Sequence, residues 1–224
     1  MINLFPNIIF DLDGTLVDSA PSLCKAGNFL LDGLDRPRID IETYKTFIGK
    51  GLLKQVEQLL VHTGGVPDNN LDKQFKLFRQ FYNSNPLVST VVYDGVFDAL
   101  EALKATRAKL AICTQKLEEP ARIILKELKL EHYFDGFAFG DSLSVMKPHP
   151  DMVFHSITGF GDGPLIYIGD SETDAATAQN VDAFFLLFSG GYRKTSVEAI
   201  KNHGFFNHHC EIPDLIKKIL GDGP

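Results

Sequence analysis

The sequence predicts an α/β protein: a parallel sheet with helices on both faces, interrupted once by a small all-helical segment. Three observations predict it. Short apolar runs alternate with amphipathic stretches, as strands joined by crossover helices do. The runs are continuous rather than alternating, which is the pattern of strands buried on both faces. From about residue 19 to residue 86 that rhythm stops and only helical patterning is found. The chain has 224 residues, 44% of them hydrophobic, enough for one large core with one insertion. There is no tryptophan, so the 18 phenylalanines fill much of the aromatic role in that core.

The first run is Ile8-Ile9-Phe10, and it stops at Asp11. The helical segment follows. In it Leu52, Val56, Leu59 and Leu60 share one helical face, and Phe75, Phe78 and Tyr82 share another. Such apolar stripes are expected to be helix packing. Val96, Ala99, Leu100 and Leu103 then repeat at helical spacing behind Asp94, which is placed as the N-cap. The run Leu110-Ala111-Ile112-Cys113 stops at Thr114. Ile123, Ile124 and Leu128 predict a helix with Pro120 near its first turn. Phe137-Ala138-Phe139 is the next run. Lys147-Pro148-His149-Pro150 leads into a helix carrying Met152, Val153 and Ile157, with His149 either near a site or simply at the helix start. Leu165-Ile166-Tyr167-Ile168 runs into Gly169-Asp170, Phe184-Phe185-Leu186-Leu187 follows, and Pro213 opens a last helix through Leu215, Ile216 and Ile219.

Charge and composition remove several classes of function. A net charge of −7 lacks the basic footprint that nucleic acid demands. No polybasic run suits an anionic membrane, and no apolar run is long enough to span one. Cys24, Cys113 and Cys210 form neither a zinc pattern nor a disulfide framework, which points to a reducing cytoplasm. Cys113 lies in an apolar run and is expected to be inert core. The segment Met1-Ile2-Asn3-Leu4-Phe5-Pro6 leaves no room for a signal peptide before Asp11, so none is expected. His208 and His209 have no second spaced pair for a metal and are placed on a surface loop.

Four polar segments stand out, and three of them lie where apolar runs end, at Asp11, Thr114 and Gly169-Asp170. In open parallel sheets the ligand crevice lies beyond the carboxyl ends of the strands, so these segments are expected to converge. Asp11-Leu12-Asp13-Gly14-Thr15-Leu16 offers two carboxylates on a strand end that turns at a glycine. Cys113-Thr114-Gln115-Lys116 offers a hydroxyl and backbone amides for an anion. In Lys147-Pro148-His149-Pro150 the prolines rigidify the backbone and Pro150 can start a helix, so Lys147 is a candidate fixed positive charge. Gly169-Asp170-Ser171-Glu172-Thr173-Asp174 brings Asp170 and Asp174 to a strand–helix junction. Carboxylates gathered in one crevice repel unless a cation or proton compensates. Oxygen-only ligands beside a phosphate point to Mg²⁺.

These four segments, in this order, resemble the four motifs of the haloacid dehalogenase superfamily, and the resemblance covers nearly the whole chain. Within it the chain is most similar to phosphoglycolate phosphatases, through Val17-Asp18-Ser19-Ala20-Pro21, Tyr44 to Leu52 with Ile48-Gly49-Lys50-Gly51, Lys147 to Asp151, and Gly190-Gly191-Tyr192. Two departures stand out. Gln115 occupies a place where relatives usually carry Asn, and Ser144-Val145-Met146 stands where they often carry basic residues.

The resemblance implies a Rossmann-like core over residues 1–16 and 87–224 and a helical cap domain over residues 17–86. It implies a phosphatase in which Asp11 attacks phosphorus and Asp13 serves as acid and then base. Thr114, Gln115 and Lys147 would hold the phosphoryl group, with Lys50 reaching in from the cap. Mg²⁺ would lie between Asp11, the main-chain carbonyl of Asp13 and Asp170, with Asp174 behind them orienting Lys147 or metal-bound water. The expected substrate is a small anionic phosphate ester, with phosphoglycolate the leading candidate, and the expected assembly is a monomer or homodimer. Dehalogenase chemistry needs no acid at Asp13. Phosphonate hydrolysis would use a cap lysine such as Lys50 or Lys54 as a Schiff base. A phosphomutase would share the motifs but release no free phosphate, and a catalytically silent binding module would have no use for the whole reactive set.

Overall fold

The computed structural model describes residues 5–221. Met1–Leu4, at the head of the segment read for a signal peptide, and residues 222–224, at the end of the expected core, lie outside the described residues.

The chain enters through β1 (Asn7–Phe10), whose apolar residues are fully buried. After a tight turn it forms the short β2 (Val17–Asp18), then α1 (Ala20–Asp32), α2 (Ile41–Lys45), α3 (Leu52–His62) and α4 (Leu71–Ser84). It returns through β3 (Val91–Val92), which pairs antiparallel with β2. The helical segment is thus entered and left through one two-stranded ribbon. The helices surround an apolar cluster of their own, including Leu30, Leu31, Tyr44, Val56, Leu60 and Phe78. The two apolar faces expected of the segment lie on α3 and α4 and meet there. The ribbon was not foreseen, because two residues per strand carry no periodicity.

The remainder runs α5 (Val96–Ala105), β4 (Lys109–Cys113), α6 (Glu118–Glu127), β5 (Gly136–Ala138), α7 (Asp151–Ser156), β6 (Leu165–Gly169), α8 (Glu172–Asn180), β7 (Phe184–Phe188), β8 (Gly204–Phe206) and α9 (Ile212–Leu220). Six strands form one sheet in the order β5-β4-β1-β6-β7-β8, with every pairing parallel. The α/β class is as the sequence predicts.

Continuous apolar runs make sense in this sheet. Ile8, Phe10, Leu110, Ile112, Ile166 and Ile168 face a layer carrying Val96, Leu100, Ile124 and Ile216. Their neighbours Ile9, Ala111, Cys113, Tyr167, Phe185 and Leu187 face the opposite layer, with Met152, Val153 and Ala178. Each large side chain removed from water contributes about 1.5–3 kcal/mol, so neither face can tolerate a polar alternate.

Two local readings need correction. Gly95, not Asp94, is the N-cap of α5, at φ +79°, a left-handed conformation that costs glycine little. His209 is not on a surface loop. It is buried, its ring packs against Tyr93, Phe188 and Phe206, and Nε2 lies 2.7 Å from the Thr15 carbonyl. Burial holds its pKa below the usual histidine range, and a carbonyl can only accept, so the neutral ring donates from Nε2. His208 is exposed as expected.

Candidate active site

The sheet order makes β1 the switch point: the chain proceeds from it to β4 and β5 on one side and to β6, β7 and β8 on the other. Phe10 is in register with Ile112 of β4 and Ile168 of β6. Adjacent strands lie about 4.8 Å apart, so residues just past their ends converge. Asp11, Thr114 and Asp170 follow β1, β4 and β6 and line one cavity of about 300 Å³ together with Asp13, Lys147 and Lys50. All six were expected there from sequence. Gln115, likewise expected there from sequence, also lines it.

Asp11 is held by two donors on one oxygen. The Leu12 amide is 2.7 Å from Oδ1, and Lys147 Nζ is 3.0 Å from it. Burial raises the carboxyl to about 7, with the Lys147 charge opposing and the Asp174 charge adding to the shift. Lys147 is itself buried and lies 2.8 Å from Asp174 Oδ1. Burial alone would lower its pKa, but the Asp11 and Asp174 charges outweigh that and keep the ammonium charged. Tyr167 donates to the Cys113 carbonyl at 3.0 Å and accepts from Lys147 at 3.2 Å.

Asp174 is thoroughly engaged. Its Oδ2 accepts from the Asp170 and Ser171 amides at 3.2 and 3.1 Å and from the Ser171 hydroxyl at 2.6 Å, closing a capping box at the start of α8. Its oxygens therefore brace the loop and Lys147 rather than point free into the cavity.

Asp170 has a different environment. It is 2% exposed, and its partners are the Thr15 hydroxyl at 2.8 Å and the Tyr192 amide at 2.6 Å. Among the ion pairs of the described residues none involves Asp170. Burial, then the charges of Asp174 and Asp11, push its pKa well above the usual carboxylate range. Backbone packed against Asp170 makes this approach possible. A side chain at Gly14, which sits at φ +84°, would put its Cβ 2.6 Å from Asp170 Oδ2, and one at Gly191 would come within 2.2 Å of Asp170 Cβ.

Oxygen atoms of Asp11, Asp170 and Asp174 lie within 4.8 Å of one another. A buried carboxylate with only neutral donors, next to a second carboxylate whose proton is held to about 7, is a donor set that fits a hard cation. The side chain of Asp13 is not in that group. It accepts from Ser19 Oγ at 2.5 Å and is paired with Lys116 at 3.0 Å.

Thr114 is buried, and its hydroxyl accepts from the Lys116 amide at 3.2 Å, leaving its proton to donate. The free amides expected around it are partly committed, since the Thr114 amide donates to the Ala138 carbonyl at 3.0 Å. Gln115 Nε2 donates to the Lys147 carbonyl at 3.0 Å, tying the second polar segment to the third, while its Oε1 is buried without a partner among the described residues. Lys50 is exposed between Gly49 and Gly51, both at positive φ, and Thr173 Oγ1 donates to the Gly49 carbonyl at 3.3 Å. His149 is exposed and accepts from the Asp151 amide at 3.3 Å, so it is a helix-start residue. Cys113 is buried and its thiol is pushed up to about 12 by burial, as inert core should be.

Sequence reasoning missed Lys116, Tyr82, Thr15 and Tyr192 as site residues. Lys116 is buried, with Tyr82 OH 2.5 Å from Nζ. The Tyr192 phenol accepts from the Ser19 and Ala20 amides at 2.9 and 3.0 Å and donates to Asp18 at 2.6 Å. It thereby caps α1 from outside, a task Ser19 leaves open because its hydroxyl is donated to Asp13. Tyr192 stood in a matched segment, but nothing local in the sequence marked its partners.

A family model described as haloacid dehalogenase-like hydrolase matches residues 8–188. The chain is 35% identical over 216 residues to a phosphoglycolate phosphatase of Cereibacter sphaeroides, covering 96% of this chain and 99% of that protein. It is 34% identical over 213 residues to a phosphoglycolate phosphatase of Rhodobacter capsulatus, covering 95% and 97%. Among solved structures, a protein of Haemophilus somnus described as a predicted phosphoglycolate phosphatase superposes with a TM-score of 0.89 at 26% identity, covering 96% of this chain and all of the other.

Proposed function

The chain belongs to the haloacid dehalogenase-like hydrolase family, and on that premise we propose that it is a Mg²⁺-dependent phosphatase that hydrolyses a small phosphate monoester through an aspartyl-phosphate on Asp11. A phosphoric monoester hydrolase agrees with the relatives named phosphoglycolate phosphatase, and 2-phosphoglycolate is the leading candidate substrate. The observation that carries the reading is the meeting of Asp11, Thr114, Lys147 and Asp170 around one cavity at the ends of β1, β4 and β6.

Asp11 attacks phosphorus in line and displaces the alcohol. Lys147, held by Asp174, keeps a fixed positive charge beside both the attacking carboxylate and the phosphoryl oxygens. Thr114 donates its hydroxyl proton to a phosphoryl oxygen. Asp13 gives a proton to the leaving oxygen and later takes one from the water that cleaves the acyl phosphate. Asp11, the Asp13 carbonyl and Asp170 would hold Mg²⁺, which when bound supplies charge neutralisation between carboxylate and phosphate.

We assign residues 17–86 to a cap and residues 1–16 with 87–224 to the core. The separate apolar cluster of the helical segment and the ribbon through which it is entered and left support that division. Lys50 on the cap reads a second anionic group on the substrate, and closure excludes water. All these side chains come from one chain, so a monomer or a homodimer serves equally. No helix among the described residues is long and apolar enough to cross a membrane. We place the protein in the cytoplasm, where its three free cysteines would stay reduced.

The test is a screen for released phosphate over small phosphate esters with and without Mg²⁺. Metal-dependent release, with 2-phosphoglycolate among the best substrates, is expected. Absence of release from every ester would overturn the reading.

A further inference from the structure

We propose that Lys116 and Tyr82 are positioning residues that tie the Asp13 carboxylate to the cap, so that Asp13 is aimed at the leaving oxygen only while the cap is seated. The inference rests on the acid role of Asp13 and adds to it what sets its direction.

Lys116 lines the cavity, and a lysine there looks at first like a phosphate ligand. Its hydrogen bonds indicate otherwise. An ammonium has three protons. Nζ lies 3.0 and 3.2 Å from the two Asp13 oxygens and 2.5 Å from Tyr82 OH. Its three directions are spent inside the protein. The side chain is 4% exposed, so its ammonium is shut off from bulk water. A buried charge is tolerated only in good geometry with its partner, so the Lys116–Asp13 pair is held as a unit.

The second tie is Ser19, whose hydroxyl lies 2.5 Å from Asp13 Oδ1. Ser19 stands immediately before α1, and Tyr82 lies in the last turn of α4. Asp13 is therefore linked directly to the entry of the helical segment and, through Lys116, to its exit. Any displacement of the segment from the sheet moves Ser19 and Tyr82 together and draws on the same carboxylate. Proton transfer requires that carboxylate within hydrogen-bond reach of the leaving oxygen, and small misplacements are costly.

The test compares kcat/KM for ethyl phosphate, whose alkoxide needs a proton to leave, with p-nitrophenyl phosphate, whose phenolate does not. This parameter covers only the steps up to loss of the leaving group, so the later base role of Asp13 does not enter. In Lys116→Met the ethyl-to-aryl ratio should fall on the order of tenfold or more. Tyr82→Phe, which keeps the ring and Lys116, should lower it less but in the same direction. Neither substitution should lower the ratio further in an Asp13→Asn background. Should Lys116→Met fail to fold, Tyr82→Phe decides alone. Equal losses on both esters, or an undiminished effect in Asp13→Asn, would overturn the proposal while leaving the phosphatase reading intact. A wild-type protein inactive on both esters would overturn both.

Discussion

The Tyr192 amide lies 2.6 Å from Asp170 Oδ2, and the phenol of the same residue caps α1, the first helix of the inserted helical segment. One residue thus braces the carboxylate assigned to the metal and the helix that opens the inserted segment. Tyr192→Phe keeps the amide and the ring but removes the phenol oxygen. It should destabilise the fold by about 1–2 kcal/mol, the usual cost of a lost helix cap, and lower Tm by about 2–4 °C per kcal/mol. Urea denaturation measures this, and an unchanged midpoint would show that the phenol contributes nothing.

Asp170→Ala should raise the Mg²⁺ concentration needed for half-maximal phosphate release far more than Tyr192→Phe does, because the amide–Asp170 contact survives in the latter. Asp174→Asn should instead lower kcat by about 10–100-fold, the usual cost of losing a partner that orients a ligand or charge. Mg²⁺ titrations of the three variants separate the cases. An unshifted Mg²⁺ requirement in Asp170→Ala would remove it from the metal site.

Stability without metal should depend on pH in a defined direction. The Asp11 proton, ordinarily lost near 3.8, is held to about 7 in the folded chain. Between those values the folded chain binds more protons than the unfolded chain, so stability falls as pH rises, and the Asp11 contribution to that fall ends above about 7. The slope from one such group is at most about 1.4 kcal/mol per pH unit. Asp170 is shifted the same way and adds to it. Denaturation of chelator-treated protein at pH 5, 6, 7 and 8 should show this fall, reduced in Asp11→Asn. Mg²⁺ should stabilise most at pH 8. A rise in stability over pH 5–7, or equal slopes in both proteins, would contradict it.

Lys50 should discriminate between substrates. Lys50→Ala is expected to cost phosphoglycolate about 1–3 kcal/mol in kcat/KM, the worth of a charge-assisted hydrogen bond. Ethyl phosphate, with its uncharged tail, should lose much less. Equal losses would mean that Lys50 does not read the tail.

Much of the site was legible because parallel sheets enforce it. Once Ile8–Phe10, Leu110–Cys113 and Leu165–Ile168 are read as strands buried on both faces, Asp11, Thr114 and Asp170 must share one edge. What was not legible depends on partners far apart in sequence. Lys116 looks like any loop lysine until Asp13, 103 residues away, is seen to pair with it. His209 reads as a surface residue because its aromatic surroundings come from β7, β8 and the residue after β3. Strands β2, β3 and β8, two or three residues long, fall below the length at which periodicity can speak. Asp94 misled because an aspartate before an apolar helix usually caps it, whereas the turn here puts Gly95 in that place.

The most direct test of Asp11 as the phosphorylated residue is chemical trapping during turnover. Hydroxylamine converts an acyl phosphate to a hydroxamate, and peptide mass analysis locates the modified residue. With 2-phosphoglycolate and Mg²⁺ present, the hydroxamate should form on Asp11, be absent without substrate, and be absent in Asp11→Asn, which should also release no phosphate. Steady phosphate release with Asp11 unmodified, or with the label on Asp13, would contradict the assignment.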